Sequence, residues 1–245
     1  MPFTFSHPAF ILPFITKQRK WLSVTGLVVG SIVPDFEYFL RMEKGYPYFS
    51  HSASSLFYFN LPFGVLLCFL FHGVVRDPLV QNLPNFLRKR FIGVKRMNWM
   101  PYFKKHWIQI CLSILLGALT HIGWDRFLHV SSDFLYEQQE RLSGFVNWQS
   151  PSFIYLLNHT IHSLLGLLAI GLFIFKLPSS NETPYNDDWQ YYWLPCFINT
   201  LIIFSFRLFV SYKFGEDDMI AALIASFLIS LTGISYYYNR KAIAY

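Results

Sequence analysis

Charged residues are scarce in this 245-residue chain, where they make up 14% of the sequence against 53% hydrophobic and 20% aromatic residues. A typical soluble domain carries about 25% charged residues, so the deficit indicates a membrane protein. The chain has only three cysteines. Cys68, Cys111 and Cys196 lie inside apolar runs, with no CxxC pair, and we interpret them as small core residues without information about the compartment.

Several other patterns are missing. The chain does not open with the basic, apolar and small-residue order of a removable signal peptide, so we expect every inserting segment to stay in the mature protein. It has little sustained alternation of apolar and polar residues and no Asn-Gly or Asp-Gly hairpin turn, which argues against strands. No repeat, linker or composition break divides it. The sequence therefore predicts one all-α domain, a polytopic helical membrane protein, over residues 1–245.

Long apolar segments supply the helices of that prediction. A helix needs roughly 20 residues to cross a membrane core of about 30 Å. The candidate segments are 21–41, 55–75, 106–129, 152–176, 189–212 and 218–238. Pro34 and Asp35 interrupt the first, which leaves five secure spans and one partial span. A short amphipathic helix precedes them, with Ser6 or His7 as its cap. Residues 1–176 form the expected core, and 177–245 add two further helices.

Positive charge is grouped beside the apolar segments. The net charge of +6 is therefore read as a topology signal and not as a surface for nucleic acid. We expect an inner-membrane protein with the basic connection 76–105 in the cytoplasm and the segments 42–54 and 130–151 on the opposite side. The acidic connection 177–188 fits this orientation poorly. The basic residues are Lys17, Arg19, Lys20, Arg76, Arg88, Lys89, Arg90, Lys95, Arg96, Lys104, Lys105, Arg240 and Lys241.

The stretch ALTHIGWDRFLH places ionisable residues directly behind an apolar run. His121, Asp125 and His129 are spaced i, i+4 and i+8, so each step rotates about 40° and rises about 6 Å along one stripe of a helix. Imidazole and carboxylate are common zinc ligands. The alternative is structural: Asp125 pairs with Arg126, or His129 caps the helix end. Ionisable groups at membrane depth are costly, which favours a functional role.

Further candidate ligands fall at the same, non-cytoplasmic end of the segments. Asp35 and Glu37 lie near the end of the first segment, His51 precedes the second, and a hairpin returns His7 to that end. His159 matches the depth of His121. This convergence predicts a site for a divalent metal, with zinc the expected ion, in which Asp35 or Glu37 serves as base or ligand. The remaining histidines are His72 and His106, interpreted as helix-end residues, and His162, which is left open.

Four motifs carry a resemblance to a known family. PFTFSHPAFILP, GSIVPDFEYFL, HSASSLF and LGALTHIGWDRFLH resemble, in this order, the bacterial membrane proteins of domain-of-unknown-function family 4184. The pattern is also similar to inner-membrane proteins described as metal-dependent hydrolases and, more distantly, to the zinc-dependent phospholipase C superfamily. The resemblance implies metal-binding roles for His7, Asp35, His51, His121, Asp125 and His129.

One departure separates this chain from the phospholipases. Their site closes with a later HxxxE pair, whereas His159 is followed four residues on by Ser163. The difference predicts one or two bound ions where the superfamily has three.

Three functions are compatible with this pattern. The first is a membrane-bound, metal-dependent hydrolase acting on a phosphoester or lipid-like, amphiphilic substrate. The second is a transporter with a His and Asp relay, which predicts polar residues through the full membrane depth and internal repeats. The segments 189–212 and 218–238 contain few polar residues, and the sequence shows no internal repeat. The third is a non-catalytic protein with a structural metal site, which differs from a catalytic one by lacking an open coordination position.

Overall fold

Most of the residues that the computed structural model describes are helical, and no strand occurs among them. These residues are 3–16, 21–44, 49–92, 98–142, 151–180, 189–210 and 215–243. Within these ranges lie the 3-10 helices Thr4–Ile11 and Val33–Asp35 and the helices α1 Leu12–Thr16, α2 Val24–Gly30, α3 Phe36–Arg41, α4 Leu56–Gln81, α5 Asn85–Phe91, α6 Trp99–Leu142, α7 Pro151–Lys176, α8 Trp189–Val210 and α9 Glu216–Ile243.

Five of these helices, α4 and α6 to α9, are long and apolar enough to cross a membrane. Their apolar stretches are Leu56–Gln81, Trp99–Leu135, Tyr155–Lys176, Trp189–Val210 and Asp218–Arg240. They coincide with the five apolar segments predicted after residue 54. Many of their large apolar side chains remain exposed, Phe209 at 86% among them, as expected of surfaces that face lipid. The predicted all-α, polytopic membrane fold is confirmed.

The first apolar segment is broken, as Pro34 predicts. Helix α2 ends at Gly30, a 3-10 turn covers Val33–Asp35, and α3 restarts at Phe36. A proline ring lacks an N–H donor and clashes with the preceding turn, so a continuous helix is disfavoured there. The N-terminal helix also differs in detail from its prediction. It begins at Thr4 after Phe3, and Ser6 and His7 lie inside it, both buried, so neither caps it.

Helix α4 contains two π-helical turns, Leu56–Asn60 and Phe71–Val75. Each one precedes a proline in the same helix, Pro62 or Pro78. Because a proline removes one backbone donor and pushes away the carbonyl four residues before it, a wider turn at this place relieves the clash. The apolar run therefore stays helical for 26 residues despite its prolines.

The described chain forms two compact units whose segments alternate along the sequence. The first unit comprises Met1–Pro34, His51–Gly64 and Ile108–Phe173, and the second comprises Asp35–Ser50, Val65–Trp107 and Ile174–Tyr245. Both units therefore draw on the predicted core, 1–176, and the two C-terminal helices fall in the second unit alone. The expectation of a single domain stays a prediction.

In the first unit, small residues let α2 and α6 approach backbone to backbone. A Cβ atom on Gly117 would lie 2.5 Å from the carbonyl oxygen of Leu27, and one on Gly30 would overlap the backbone of Ile114. Such close approach between apolar helices requires glycine, alanine or serine at the contact. The backbone N–H of Ser23 donates to Ser113 Oγ at 2.8 Å in the same interface. The contact fixes the register of the two helices.

The N-terminal segment of the first unit is attached to α7. The backbone N–H of Phe3 donates to Ser163 Oγ at 2.8 Å, across 160 residues of sequence. Close by, a Cβ atom on Gly166 would lie 2.9 Å from the carbonyl oxygen of Ser6, so the 3-10 helix packs directly on the α7 backbone. These contacts hold the segment that carries His7.

The second unit has an apolar core that also contains hydrogen bonds. One cluster of its buried residues consists of Val75, Tyr192, Cys196 and Leu231. The Tyr192 hydroxyl and Ser235 Oγ are 2.8 Å apart, and Trp193 Nε1 donates to the carbonyl oxygen of Asn82 at 2.6 Å.

The cysteines follow their interpretation, since Cys68 and Cys196 are buried, Cys111 is half-buried and all three are free thiols.

Two sequence expectations change at the ends of α6. The segment 130–151 was expected as a connection, but α6 continues to Leu142, because residues 130–142 contain no proline or glycine to end it. At the other end, the apolar segment was expected to begin at residue 106, but α6 begins at Trp99. His106 has non-helical backbone angles and marks a kink in the helix. Residues 143–150 of that connection, 181–188 of the acidic one, and Lys17, Arg19, Lys20, Lys95 and Arg96 lie outside the described residues.

Candidate metal centre

His121 and Asp125 form the base of the candidate site. They occupy successive turns of α6, which places both side chains on one helix face. His121 Nε2 lies 3.5 Å from Asp125 Oδ2, and both residues are buried. This part of the predicted stripe is present in the structure.

Two further imidazoles of the first unit point at the same carboxylate. His51 Nε2 lies 3.5 Å from Asp125 Oδ2, and His7 Nε2 lies 3.7 Å from Asp125 Oδ1. The His7 ring stacks on the His121 ring, with centroids 3.8 Å apart and planes inclined by 17°. Three histidines from three separate segments thus converge on one aspartate.

A group of four residues could hold a metal ion. Asp35, His51, His121 and Asp125 each offer one ligand atom, and these atoms lie within 4.8 Å of one another. Asp35 follows Pro34 directly in the chain and is 2% exposed. Two imidazoles and two carboxylates are a donor set typical of zinc and other divalent first-row metals.

The Asp125 carboxylate provides a test of whether the residues fit a cation. Neither of its oxygens accepts a hydrogen bond from the described residues. The three Nε2 atoms, at 3.5–3.7 Å, lie beyond the usual 2.7–3.2 Å range of N–H···O bonds. Burying a carboxylate without donors is costly, and a bound cation removes that cost. The donor set therefore fits a divalent metal.

The backbone of Ser31 orients the His121 ring. His121 Nδ1 lies 2.8 Å from the Ser31 carbonyl oxygen. Since a carbonyl oxygen can only accept, Nδ1 carries the proton and Nε2 presents its lone pair toward Asp125. Metal-binding histidines usually donate their second ring nitrogen in this way. The role of the Ser31 carbonyl was not predicted from the sequence. The glycine patterns GLVVG, directly before Ser31, and SILLG, before His121, are nevertheless a recognisable signal for close helix packing.

His129 and His159 lie apart from this group, in a pair of their own. Their ring centroids are 5.4 Å apart, and the Tyr155 ring stacks near His159. His129 is exposed on α6, whereas His121 and Asp125 are buried. The reason is the helix period, since two steps of 40° turn His129 about 80° away from His121. Two residues of the predicted stripe, His121 and Asp125, therefore belong to the four-residue group, and metal binding by His129 and His159 stays a prediction from the sequence.

Glu37 also has other partners. Its Oε1 atom accepts from Arg41 Nη1 at 2.9 Å, and its Oε2 atom accepts from the backbone N–H groups of Phe49 and Ser50 at 3.1 and 2.9 Å. The side chain is fully buried. Both oxygens are thus engaged in holding the chain, which leaves Asp35 as the carboxylate beside His51 and His121.

The other histidines have structural surroundings. The His72 ring stacks on Trp99 at 4.2 Å, and His106 sits at the kink of α6 beside Tyr102. His162, which the sequence left open, pairs its Nδ1 with the carbonyl oxygen of Asn158 at 2.8 Å. It contacts the Trp124 ring edge to face. His72 lies inside α4 and His106 inside α6, so neither stands at the end of its helix, and neither belongs to the four-residue group.

Comparison with known proteins gives one result that covers almost the whole chain. Residues 1–237 match the model of the domain of unknown function family DUF4184, and the chain belongs to this family. No curated protein and no solved structure matches the chain. The family description names no activity, so any function has to be argued from the residues themselves.

Proposed function

We propose that this chain is an integral-membrane, metal-dependent hydrolase that cleaves a phosphoester in an amphiphilic substrate. One observation carries the proposal: the two oxygens of Asp125 face the Nε2 atoms of three imidazoles from three separate segments. A histidine and carboxylate donor set is the one that proteins use for hydrolytic zinc sites. The family resemblance to metal-dependent hydrolases points in the same direction.

The proposed ligands of the main ion are His51, His121 and Asp125, which together with Asp35 offer atoms within 4.8 Å of one another. Three protein ligands leave the fourth position of the ion for water. His7 faces the other oxygen of Asp125, at 3.7 Å from Oδ1. A carboxylate that faces imidazoles through both oxygens can also bridge two ions. The proposal therefore includes one or two ions, with zinc as the expected metal.

A bound zinc ion would lower the pKa of its water to about 7 and polarise a phosphoryl oxygen. The chain's own residues would orient and accept protons. His121 presents Nε2 because its Nδ1 donates to Ser31. Asp35 is the proposed proton acceptor, since it is buried beside the histidines while both Glu37 oxygens are occupied.

Access to the proposed site lies on the side of His51. The His51 side chain is 13% exposed, whereas the side chains of His7, His121 and Asp125 are 1%, 0% and 6% exposed. A substrate would thus approach His51 first, and the sealed remainder would exclude bulk water. Because apolar helices surround the cluster, an amphiphilic molecule such as a phospholipid is the proposed substrate class.

The same burial favours a second candidate, a structural metal site. Structural zinc sites are closed, with four protein ligands and no open position. Asp35, His51, His121 and Asp125 already number four, and three of them are buried. In this alternative the ion holds helices together and no reaction follows.

Zinc content and hydrolysis, measured on the same purified protein, test the proposal. We expect the wild type to bind zinc and to cleave a member of a panel of phospholipids and phosphodiesters. His121→Ala and Asp125→Ala should lose both properties, and His129→Ala, an exposed histidine on the same helix, should keep both. Chelation should inactivate the wild type, and zinc should restore it but not His121→Ala.

The outcomes separate the candidates. Zinc binding without cleavage of any member of the panel would support the structural site. A wild-type protein that binds no divalent metal would overturn both.

A further inference from the structure

Glu37 links the segments that carry two of the candidate ligands, Asp35 and His51. It stands two residues after Asp35, in the first turn of α3. Its Oε2 atom accepts hydrogen bonds from the backbone N–H groups of Phe49 and Ser50, the two residues directly before His51. The Glu37 side chain thus holds backbone 12 and 13 residues further along the chain, directly before His51.

We propose that Glu37 is a positioning residue that holds His51 at the metal centre by binding the backbone of Phe49 and Ser50, and that it is neither a ligand nor a base. This inference rests on the proposed metal site. The other Glu37 oxygen accepts from Arg41 Nη1 at 2.9 Å, within the same helix. The carboxylate therefore receives three donors, which satisfies its buried oxygens without a metal ion.

The surroundings of Ser50 explain why this contact matters for His51. Ser50 is fully buried, and its N–H donates to Glu37 at 2.9 Å. Without that acceptor, the buried Ser50 N–H group would lose this hydrogen bond, which is costly for a buried donor. Moving Ser50 toward water would relieve that cost. Because His51 is the next residue, its imidazole would move with the backbone.

Two substitutions of similar volume separate positioning from chemistry. Glu37→Gln keeps a side-chain oxygen that can accept from Phe49 and Ser50, but it has no carboxylate to bind metal or take a proton. Glu37→Met fills the same space and offers no strong acceptor. A ligand or base is lost in both variants, whereas a backbone acceptor is lost only in Glu37→Met.

Zinc affinity, measured by competition with a chromogenic chelator on full-length protein in detergent, is the first readout. We expect Glu37→Gln to bind zinc within about 3-fold of the wild type and Glu37→Met to bind about 10- to 100-fold more weakly, the range typical of lost supporting contacts. Arg41→Met removes the ion pair but leaves the Oε2 contacts. Its zinc affinity should match that of Glu37→Gln.

A destabilised variant away from the site controls for general loss of stability. Asn82→Ala removes a buried side chain whose Nδ2 donates to the Pro78 carbonyl oxygen. It should lower the melting temperature while keeping zinc affinity. If Asn82→Ala weakens zinc binding as much as Glu37→Met at an equal melting temperature, the positioning role is wrong.

The remaining outcomes are equally decisive. Folded Glu37→Gln protein that has lost zinc, or that binds zinc but has lost all hydrolysis, would make Glu37 a ligand or a base and overturn the inference. If Glu37→Met does not fold, Glu37→Gln alone decides between these roles. A wild type that binds no zinc would overturn the metal site itself. A wild type that binds zinc, together with a Glu37→Met variant of equal zinc affinity, would overturn only the positioning role of Glu37.

Discussion

His121 donates its Nδ1 proton to the carbonyl oxygen of Ser31 across a distance of 2.8 Å, although 90 residues separate them in sequence. Ser31 follows Gly30 directly, and His121 lies one turn beyond Gly117. At these two glycines α2 and α6 touch backbone to backbone, as they also do at Gly26. The orientation of a candidate metal ligand therefore depends on the spacing of two helices, and changes in this spacing can be tested.

Substitution of Gly117 by alanine tests that dependence. The new Cβ atom would meet the Leu27 carbonyl oxygen at 2.5 Å, so the helices must separate. We expect Gly117→Ala to destabilise the protein by about 1–3 kcal/mol and to weaken zinc binding. Gly123→Ala is the matched control, because nothing lies within 4 Å of a Cβ atom at that position on the same helix. Equal zinc affinity and melting temperature in the two variants would show that the close contact does not hold His121.

Zinc should stabilise the folded protein. A ligand that binds only the native state, at 100 times its dissociation constant, adds about 2.7 kcal/mol to the free energy of unfolding. We expect zinc to raise the melting temperature of the wild type in detergent and a chelator to lower it. His121→Ala should melt at one temperature in both conditions. An equal response of wild type and His121→Ala would place the bound zinc elsewhere.

His129 and His159 should be dispensable for metal binding. Their rings form a separate pair, and His129 is exposed. We expect His129→Ala and His159→Ala to bind as many equivalents of zinc as the wild type, as measured by elemental analysis after gel filtration. Loss of one equivalent in either variant would mean that the stripe predicted from the sequence binds metal after all.

The orientation in the membrane stays a prediction from loop charge. In a variant without the three native cysteines, we expect an impermeant thiol reagent to label Glu137→Cys in intact bacterial cells and to label Lys105→Cys only after permeabilisation. Both positions are exposed and lie on α6, one before and one after His121 and Asp125 in the sequence. The reverse labelling pattern would invert the topology and place the candidate site on the cytoplasmic side.

Helix existence could be predicted from the sequence, because runs of about 20 apolar residues have few alternatives to membrane helices. The break at Pro34 was also predictable, because a proline disturbs the helix at its own position whatever the tertiary structure. The end of α6 was not. Residues 130–142 are polar enough to suggest a connection, yet without proline or glycine they continue the helix to Leu142.

The site was predictable where one helix determines it and less so elsewhere. His121 and Asp125 follow from a spacing of four residues. His129 is not one of the four grouped residues, because the residual rotation of the helix accumulates over eight residues. The contacts of Glu37 with Phe49 and Ser50 join positions 12 and 13 residues apart, and no local pattern encodes such contacts. From its residue type alone, Glu37 was expected to be a base or a metal ligand, whereas its contacts indicate that it holds the backbone before His51.

The bond from Phe3 to Ser163 imposes an order on biosynthesis. A ribosome adds about 5–20 residues per second, so Ser163 is made roughly 10–30 seconds after Phe3. During that interval the segment Thr4–Ile11 has no docking place on α7, and for most of it neither His121 nor Asp125 exists. His7 is thus the first of the clustered histidines to be synthesised and among the last to reach its final place. A nascent chain that stops before α7 would therefore leave Thr4–Ile11 without the helix on which it packs.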